Sequence, residues 1–243
     1  RQMNRIAFAI FCLLSLLVFA CGRPAPGRGA GEVEATSQKG TASSVSFRVE
    51  TVVGNLEVPW SIVWAPDGRM FFTERPGRVQ AFQNGKAHIV FTVPDVAPSG
   101  EGGLMSIVLH PQFSSNHLLY LSYVYKGDNQ SVRVVRYRES EAGFTDRKVI
   151  IENIPAAQYH AGCRLRFGPD GKLYITTGDG TRRDLAQRLD SLAGKILRVN
   201  DDGTVPTDNP FVTNKDARPE IWSYGHRNPQ GIDWQPGTNL LFE

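Results

Sequence analysis

The stretch LRFGPDGKLYITTGD (165–179) joins two apolar, strand-like runs through a Pro-Asp-Gly turn. Proline presets one backbone dihedral, aspartate bonds its own backbone two residues on, and glycine accepts a positive φ. The same phrase stands at 62–74 as IVWAPDGRMFFTE. Looser copies appear at 107–123, IVLHPQFSSNHLLYLSY, and at 232–243, IDWQPGTNLLFE. Four copies of strand, Pro-led turn and strand, at intervals of roughly 45 to 65 residues, point to a repeating β unit. A further strand pair is expected after each copy. RVQAFQNGKAHIVF (78–91) has Asn-Gly at its tip, the dipeptide a type I′ hairpin favours. VRVVRYRESEAGFTDRKVII (132–151) and KILRVNDDGTVP (195–206) are read as the other two pairs, the latter turning at Asp202 and Gly203.

Two hairpins per unit is the sequence signature of a β-propeller blade. A β-sandwich also offers evenly spaced short strands, but it gives no reason for one phrase to recur four times. From Phe47 onward no long stretch has helical periodicity, so the fold class is all-β. Three full copies and the start of a fourth fall short of the roughly four to eight blades that close a ring. The chain therefore reads as an incomplete propeller of three to four blades, truncated in mid-hairpin, with an exposed blade face as the expected consequence.

The 243 residues, 41% apolar and 21% charged, are enough for a sizeable core. The net charge of +3 comes from scattered basic residues with no Lys/Arg run interleaved with aromatics, which argues against a nucleic-acid partner. At the N-terminus, Met3, Asn4 and Arg5 precede IAFAIFCLLSLLVFA (6–20). This run is shorter than the roughly 20 residues of a membrane-spanning helix and fits the core of an export signal. VFAC (18–21) resembles a bacterial lipobox, which makes Cys21 the expected lipidation site and 1–21 a signal peptide. An ordinary export signal cleaved nearby is the other reading. Residues 22–46 are rich in Gly, Ala, Ser and Pro and read as a flexible linker to the body at 47–243. Location is then periplasmic or at the cell surface, with the membrane as partner through a lipid anchor. With Cys21 lipidated, Cys163 has no partner and no disulfide framework is expected.

Three polar phrases lie between strands: SGEGGLM (99–105), QYHAGCRLRF (158–167) and SYGHRNPQGI (223–232). Repeat logic puts each at the mouth of an innermost strand, where loops of a propeller converge. These phrases, with PWSIVWAPDGRMFFTERPGRV (59–79), FGPDGKLYITTGDG (167–180) and LAGKILRVNDDGTVPTDNPF (192–211), resemble the glucose/sorbosone dehydrogenase family of quinoprotein sugar dehydrogenases. That resemblance spans about Val58 to Glu243. It implies a six-bladed propeller of the quinoprotein glucose dehydrogenase type that uses pyrroloquinoline quinone (PQQ) and Ca²⁺ to oxidise an aldose, with a quinone or cytochrome as electron acceptor.

By the same resemblance His160 is the catalytic base and Asp179 the carboxylate that orients it. An imidazole titrates near neutrality and suits the removal of a hydroxyl proton. From the residues alone, a structural histidine is the alternative for His160, and a turn residue bonding nearby backbone the alternative for Asp179. Arg227 and Asn228 match cofactor contacts, the arginine supporting negative charge on the cofactor, and Gln230 matches a residue orienting cofactor or substrate. A solvated loop, with Arg227 paired to a surface acid, is the alternative. Arg164 is read as a second cofactor contact or as a partner of Asp179 or Asp184. Glu101 stands where relatives commonly have glutamine and is read as sugar-binding, ion-holding or solvent-facing. Tyr159 is placed beside the substrate, and Cys163, in a position often held by glycine, is expected to crowd the quinone face. Glu243 matches the start of a phrase whose following carbonyls hold the cofactor's Ca²⁺, so the metal ligands are expected beyond it. NDDGTVPTDN (200–209) lacks the spacing of an EF-hand and reads as a turn. A non-catalytic propeller acting as a binding module at the cell surface is the rival function.

Overall fold

In the computed structural model both Pro-Asp-Gly turns close with the same hydrogen bonds. Ala65 N–H donates to Arg69 C=O at 2.8 Å, and Gly168 N–H to Lys172 C=O at 2.9 Å. Asp67 and Asp170 each accept the N–H two residues on, at 3.0 and 3.1 Å. Gly68 and Gly171 take φ of 87° and 72°, which a side chain would resist. In the second copy the turn grows into one helical turn, α1 (Phe113–Asn116), and His110 N–H to Leu118 C=O at 2.9 Å closes it. The structure describes residues 47–127 and 129–243. The signal, Cys21 and the linker lie outside the described residues.

Among the described residues the strands form three four-stranded antiparallel sheets in chain order and one hairpin. The first sheet is β1 (Pro59–Trp64), β2 (Met70–Glu74), β3 (Arg78–Gln83) and β4 (Lys86–Thr92). The second is β5 (Leu104–Leu109), β6 (Leu118–Lys126), β7 (Gln130–Ser140) and β8 (Gly143–Pro155). The third is β9 (Leu165–Phe167), β10 (Leu173–Thr177), β11 (Lys195–Val199) and β12 (Ile221–Tyr224), with α2 (Arg183–Gln187) between β10 and β11. The hairpin is β13 (Asp233–Trp234) and β14 (Leu241–Phe242). Successive inner strands touch, β1 on β5 and β5 on β9, as blades of a propeller do. The expected type I′ turn is present, with Asn84 at φ 53° and Gly85 at 76°. One pairing is corrected: KILRVNDDGTVP is not a hairpin. Only β11 is a strand, and its partner is β12, reached after a long excursion over 200–220. Arg198 holds that excursion in place, since its guanidinium pairs with Asp170 and Asp208 and donates to buried Asn209. Of the acids in 200–209, Asp208 is thus spent on Arg198 and Asp202 on the turn at Thr204, while Asp201 lies 3.5 Å from His110 Nε2.

Apolar burial fills the spaces between blades. Phe71, Val79, Leu104, Leu119 and Tyr123 pack between the first two sheets, and Tyr120, Val132, Leu165, Leu173 and Ile175 between the second and third. Through this apolar filling runs a line of buried hydroxyls at equivalent positions of the second strands. Thr73 Oγ1 accepts Ser61 N–H at 3.1 Å and donates to Met105 C=O of the next blade at 2.6 Å. Ser122 Oγ accepts Ser106 N–H and donates to Cys163 C=O, both at 3.1 Å. Thr176 Oγ1 accepts Arg164 N–H and donates to Pro229 C=O, both at 2.8 Å. In the first two blades the inner strand bulges there, with register shifts between Pro59 and Ser61 and between Leu104 and Ile107. A bulge costs an amide its ladder partner, and the hydroxyl supplies one while tying the blade to its neighbour.

Thr73 is fully buried. Thr73→Val keeps the shape and strands a buried donor and acceptor, so the protein should lose about 2 kcal/mol of unfolding free energy, with Thr73→Ser retaining most of it. Urea titration of the two variants measures the difference.

Candidate active site

The Cys163 carbonyl that Ser122 bonds follows directly on a turn in one of the mouth loops. His160, Ala161 and Gly162 enter β9 as a backbone turn with φ of 61° at His160 and 74° at Gly162. Loops from three directions hold that turn. Glu101 Oε1, from the loop before β5, accepts Ala161 N–H at 3.0 Å. Asn228 Oδ1, from the loop before β13, accepts Gly162 N–H at 3.1 Å, and its Nδ2 donates to the same Glu101 oxygen at 3.2 Å. Gly180 N–H donates to His160 C=O at 3.2 Å from the loop after β10. A non-glycine residue at positive φ stores roughly 1 kcal/mol of strain, which these bonds offset.

The held turn aims the imidazole at a carboxylate. His160 Nδ1 lies 2.7 Å from Asp179 Oδ1, and that oxygen also accepts Thr181 N–H at 2.7 Å. Asp179 is 1% exposed, while the His160 side chain keeps 18% of its surface. An ionised carboxylate only accepts, so the Nδ1 proton is the one donated and the lone pair sits on Nε2. Nε2 has no partner among the described residues. The pair is therefore built as an oriented base: one face is fixed by the protein and the other is open.

The strand-end loop carrying Arg227 is bound to this pair through backbone, since Asp179 N–H donates to Arg227 C=O at 2.8 Å. The Arg227 guanidinium is exposed and makes no hydrogen bond or ion pair among the described residues. Asn228, by contrast, spends both ends of its amide on the His160 turn. Gln230 is exposed, and its Nε2 reaches Gly162 C=O at 3.4 Å. Two glycines permit this crowding. A Cβ on Gly178 would stand 1.9 Å from His160 C=O, and one on Gly100 1.9 Å from Gln158 C=O.

Arg164 pairs with neither Asp179 nor Asp184. It reaches across the inner strands instead, donating to Gln230 C=O and Ser61 Oγ at 3.1 Å each and stacking over Trp60 with Cζ 4.4 Å from the ring centre. Burial lowers its pKa from the ordinary arginine value. With Ser61, Ile107 and Ile232 it lines a groove of about 480 Å³ along the inner strands. Cys163 does not crowd the mouth. Its side chain is fully buried in the core with Val124, Leu165 and Ile175, and burial pushes the thiol up to about 12. Tyr159 is 56% exposed beside His160. Sequence reasoning missed the Thr181 amide, the Ser61 and Trp60 partners of Arg164, and Lys195. That buried lysine donates to the carbonyls of Leu185, Ala186 and Ala193 and fastens α2 to β11. The Arg227 guanidinium, unpaired among the described residues, is a donor that a quinone cofactor bearing carboxylates would use, and the open Nε2 of His160 is left as an acceptor, so the residues fit such a cofactor.

The glucose/sorbosone dehydrogenase family model matches residues 56–243. Aldose sugar dehydrogenase YliI of Escherichia coli is 37% identical over 83% of this chain and 57% of its own length. Quinoprotein glucose dehydrogenase B of Acinetobacter calcoaceticus is 31% identical over 84% of this chain and 49% of its own. Among solved structures, the PQQ-bound aldose sugar dehydrogenase of Streptomyces coelicolor superposes with a TM-score of 0.73 at 33% identity, covering 80% of this chain and 58% of that one. The chain spans about half the length of the curated relatives it matches.

Proposed function

The chain belongs to the glucose/sorbosone dehydrogenase family, and from that premise we propose that it carries the proton-transfer side of an oxidoreductase acting on an aldose, or on a related hydroxyl or aldehyde compound, with PQQ. One observation carries the reading: His160 is pinned through Nδ1 by a buried carboxylate, leaves Nε2 open, and shares its loop cluster with the unpaired Arg227.

PQQ, when bound, supplies the two-electron acceptor for the hydride that leaves the carbinol carbon. His160 Nε2 is the group placed to take the proton of the substrate hydroxyl, with Asp179 behind it. Asp179 holds the imidazole in the tautomer that accepts and favours the imidazolium that forms. Arg227 would hold a carboxylate or quinone oxygen of the cofactor through its positive charge, with Gln230 as a further donor. Glu101 and Asn228 keep the His160 turn in place, and the second carboxylate oxygen of Glu101 remains to accept a sugar hydroxyl. Arg164 stands one layer deeper, against Trp60, and Tyr159 forms an exposed aromatic edge for a sugar ring. Calcium belongs to the proposal through the resemblance alone. Among the described residues no group of three or more His, Cys, Asp or Glu is gathered for an ion, and no step is assigned to it. The acceptor of the electrons is proposed to be a quinone or cytochrome, and the protein to be exported and lipid-anchored at Cys21, outside the described residues.

The test is reconstitution of the full-length protein with PQQ and Ca²⁺, following quinone absorbance on binding and dye reduction with a panel of aldoses. Saturable binding with sugar-dependent reduction is expected. A protein that binds no PQQ, or binds sugars and reduces nothing, is a binding module and ends the reading.

A further inference from the structure

Ser223 in β12, His226 in the loop that follows and Glu243 after β14 form a linked cluster that the chemistry proposed above does not use. Ser223 Oγ lies 2.9 Å from His226 Nε2, and His226 Nδ1 lies 2.7 Å from Glu243 Oε1. An ionised carboxylate only accepts, so the Nδ1 proton goes to Glu243 and the Nε2 lone pair accepts the Ser223 hydroxyl. The contrast with His160 decides the role: there Nε2 is open to an incoming hydroxyl, whereas here it is already committed to one supplied by the protein. Nucleophile, base and orienting acid are joined as in serine acyl transfer, which is identified by geometry and roles rather than by position in the chain.

The backbone holds this cluster together. Gly225 takes φ of 92° and turns the chain after β12, which brings the His226 ring back onto Ser223. Two bonds to the third blade fix the turn, Gly225 N–H to Ala186 C=O at 2.9 Å and His226 N–H to Gly194 C=O at 3.1 Å. Ser223 and His226 stay partly exposed, so the hydroxyl is within reach of a substrate. Gln187 Nε2, at the end of α2, makes no hydrogen bond among the described residues and would lie 3.2 Å from a Cβ on Gly225. It is the donor offered to the oxyanion that nucleophilic attack creates.

We propose that Ser223, His226 and Glu243 are a second catalytic site that hydrolyses carboxylic esters, and that its substrate is the lactone produced when a cyclic aldose is oxidised at its anomeric carbon. Ser223 Oγ attacks the lactone carbonyl carbon as its proton passes to His226 Nε2. The bond from that carbon to the ring oxygen breaks, the ring oxygen takes the proton from His226, and the acyl group stays on Ser223 as an ester. Water then attacks the same carbon and gives a proton to His226, and the Ser223 oxygen leaves with that proton. The products are a hydroxy acid and the free serine; nothing is oxidised or reduced and water is the one co-reactant. The choice of a lactone rests on the dehydrogenase reading, and the hydrolytic site does not.

The test uses the full-length protein without PQQ. Hydrolysis of p-nitrophenyl acetate, and of δ-gluconolactone followed by base uptake at constant pH, should run faster than in buffer. Diisopropyl fluorophosphate should leave its phosphoryl group on Ser223, read by peptide mass spectrometry. Ser223→Ala and His226→Gln should each lower both protein-dependent rates by roughly 10²-fold or more, the contribution of a positioned base and its nucleophile. Glu243→Gln keeps the shape without the charge and should lower them too. Urea unfolding shows whether a variant has kept its fold, and labelling of the parent decides where one has not. Rates no faster than in buffer, a label elsewhere or nowhere, or a folded Ser223→Ala as fast as the parent each overturns the site; ester cleavage without lactone cleavage overturns the substrate. If hydrolysis and labelling behave as expected and PQQ-reconstituted protein reduces no dye, the dehydrogenase reading fails and the hydrolytic site stands. Dye reduction without hydrolysis fails the hydrolytic site alone.

Discussion

Replacing His160 with alanine should lower kcat of the reconstituted full-length protein by roughly 10²- to 10⁴-fold, the range a positioned general base supplies, while PQQ binding, read from quinone absorbance, stays close to that of the parent. The separation follows from the geometry. His160 contributes its imidazole only to Asp179 and to open space, whereas the bonds that build its turn are made by the backbone of Ala161, Gly162 and Gly180. Alanine therefore removes the proton acceptor and leaves the loop standing. Asp179→Asn is the companion variant. An asparagine keeps an oxygen for Thr181 N–H and His160 Nδ1–H but loses the charge that favours the imidazolium, so kcat should fall again with little change in KM. Solvent deuterium should slow the parent more than His160→Ala, because only the parent transfers the proton to a side chain. A His160→Ala variant as fast as the parent would remove the base and with it the proposed mechanism.

The parts of this molecule that were legible in sequence are those fixed by local chemistry. Pro-Asp-Gly and Asn-Gly specify turns by their own dihedrals and short-range bonds, so the hairpins they head could be read, and the blade repeat followed. The pairing after β11 failed for the complementary reason: what displaces the strand at 200–220 is Arg198, whose partners Asp170 and Asp208 are brought to it by folding. The site divides in the same way. His160, Asp179 and Arg227 were visible as residue types in mouth loops. That Asn228 is spent on the His160 turn, that Arg164 ties inner strands together, and that Cys163 faces the core depend on partners that folding brings from other blades, which leave no mark in local composition. Thr73 and Thr176 each stand seven residues after a turn proline, which aligning the two Pro-Asp-Gly copies could have found; Ser122 stands eleven after Pro111, displaced by the helical turn α1.

The structural variant with the largest expected effect is Gly178→Ala. The residue lies just past β10, and its would-be Cβ stands 1.9 Å from His160 C=O, 2.4 Å from the carbon of that carbonyl and 2.8 Å from Asn228 Oδ1. Two of these three atoms are backbone, so no rotamer change relieves the contact; ordinary separation requires the β10 end and the His160 turn to part by more than 1 Å. Parting them stretches the Gly180 N–H bond to His160 C=O and pulls His160 Nδ1 from Asp179, which sits one residue beyond the substitution. Both stability and orientation fall together. Unfolding free energy should drop by about 3 kcal/mol or more, as overpacking against backbone does, and kcat should fall at least as far as in Asp179→Asn, since displacement by about 1 Å already costs roughly 10²-fold in well-oriented sites. Gly171→Ala is the comparison variant: its φ is positive, at 72°, which is not the case at Gly178, and nothing stands within 4 Å of its Cβ. Its cost should stay near 1 kcal/mol, the strain of the dihedral alone, with activity unchanged. Equal losses in the two variants, measured by urea unfolding, would mean that the close approach at Gly178 does not hold the base.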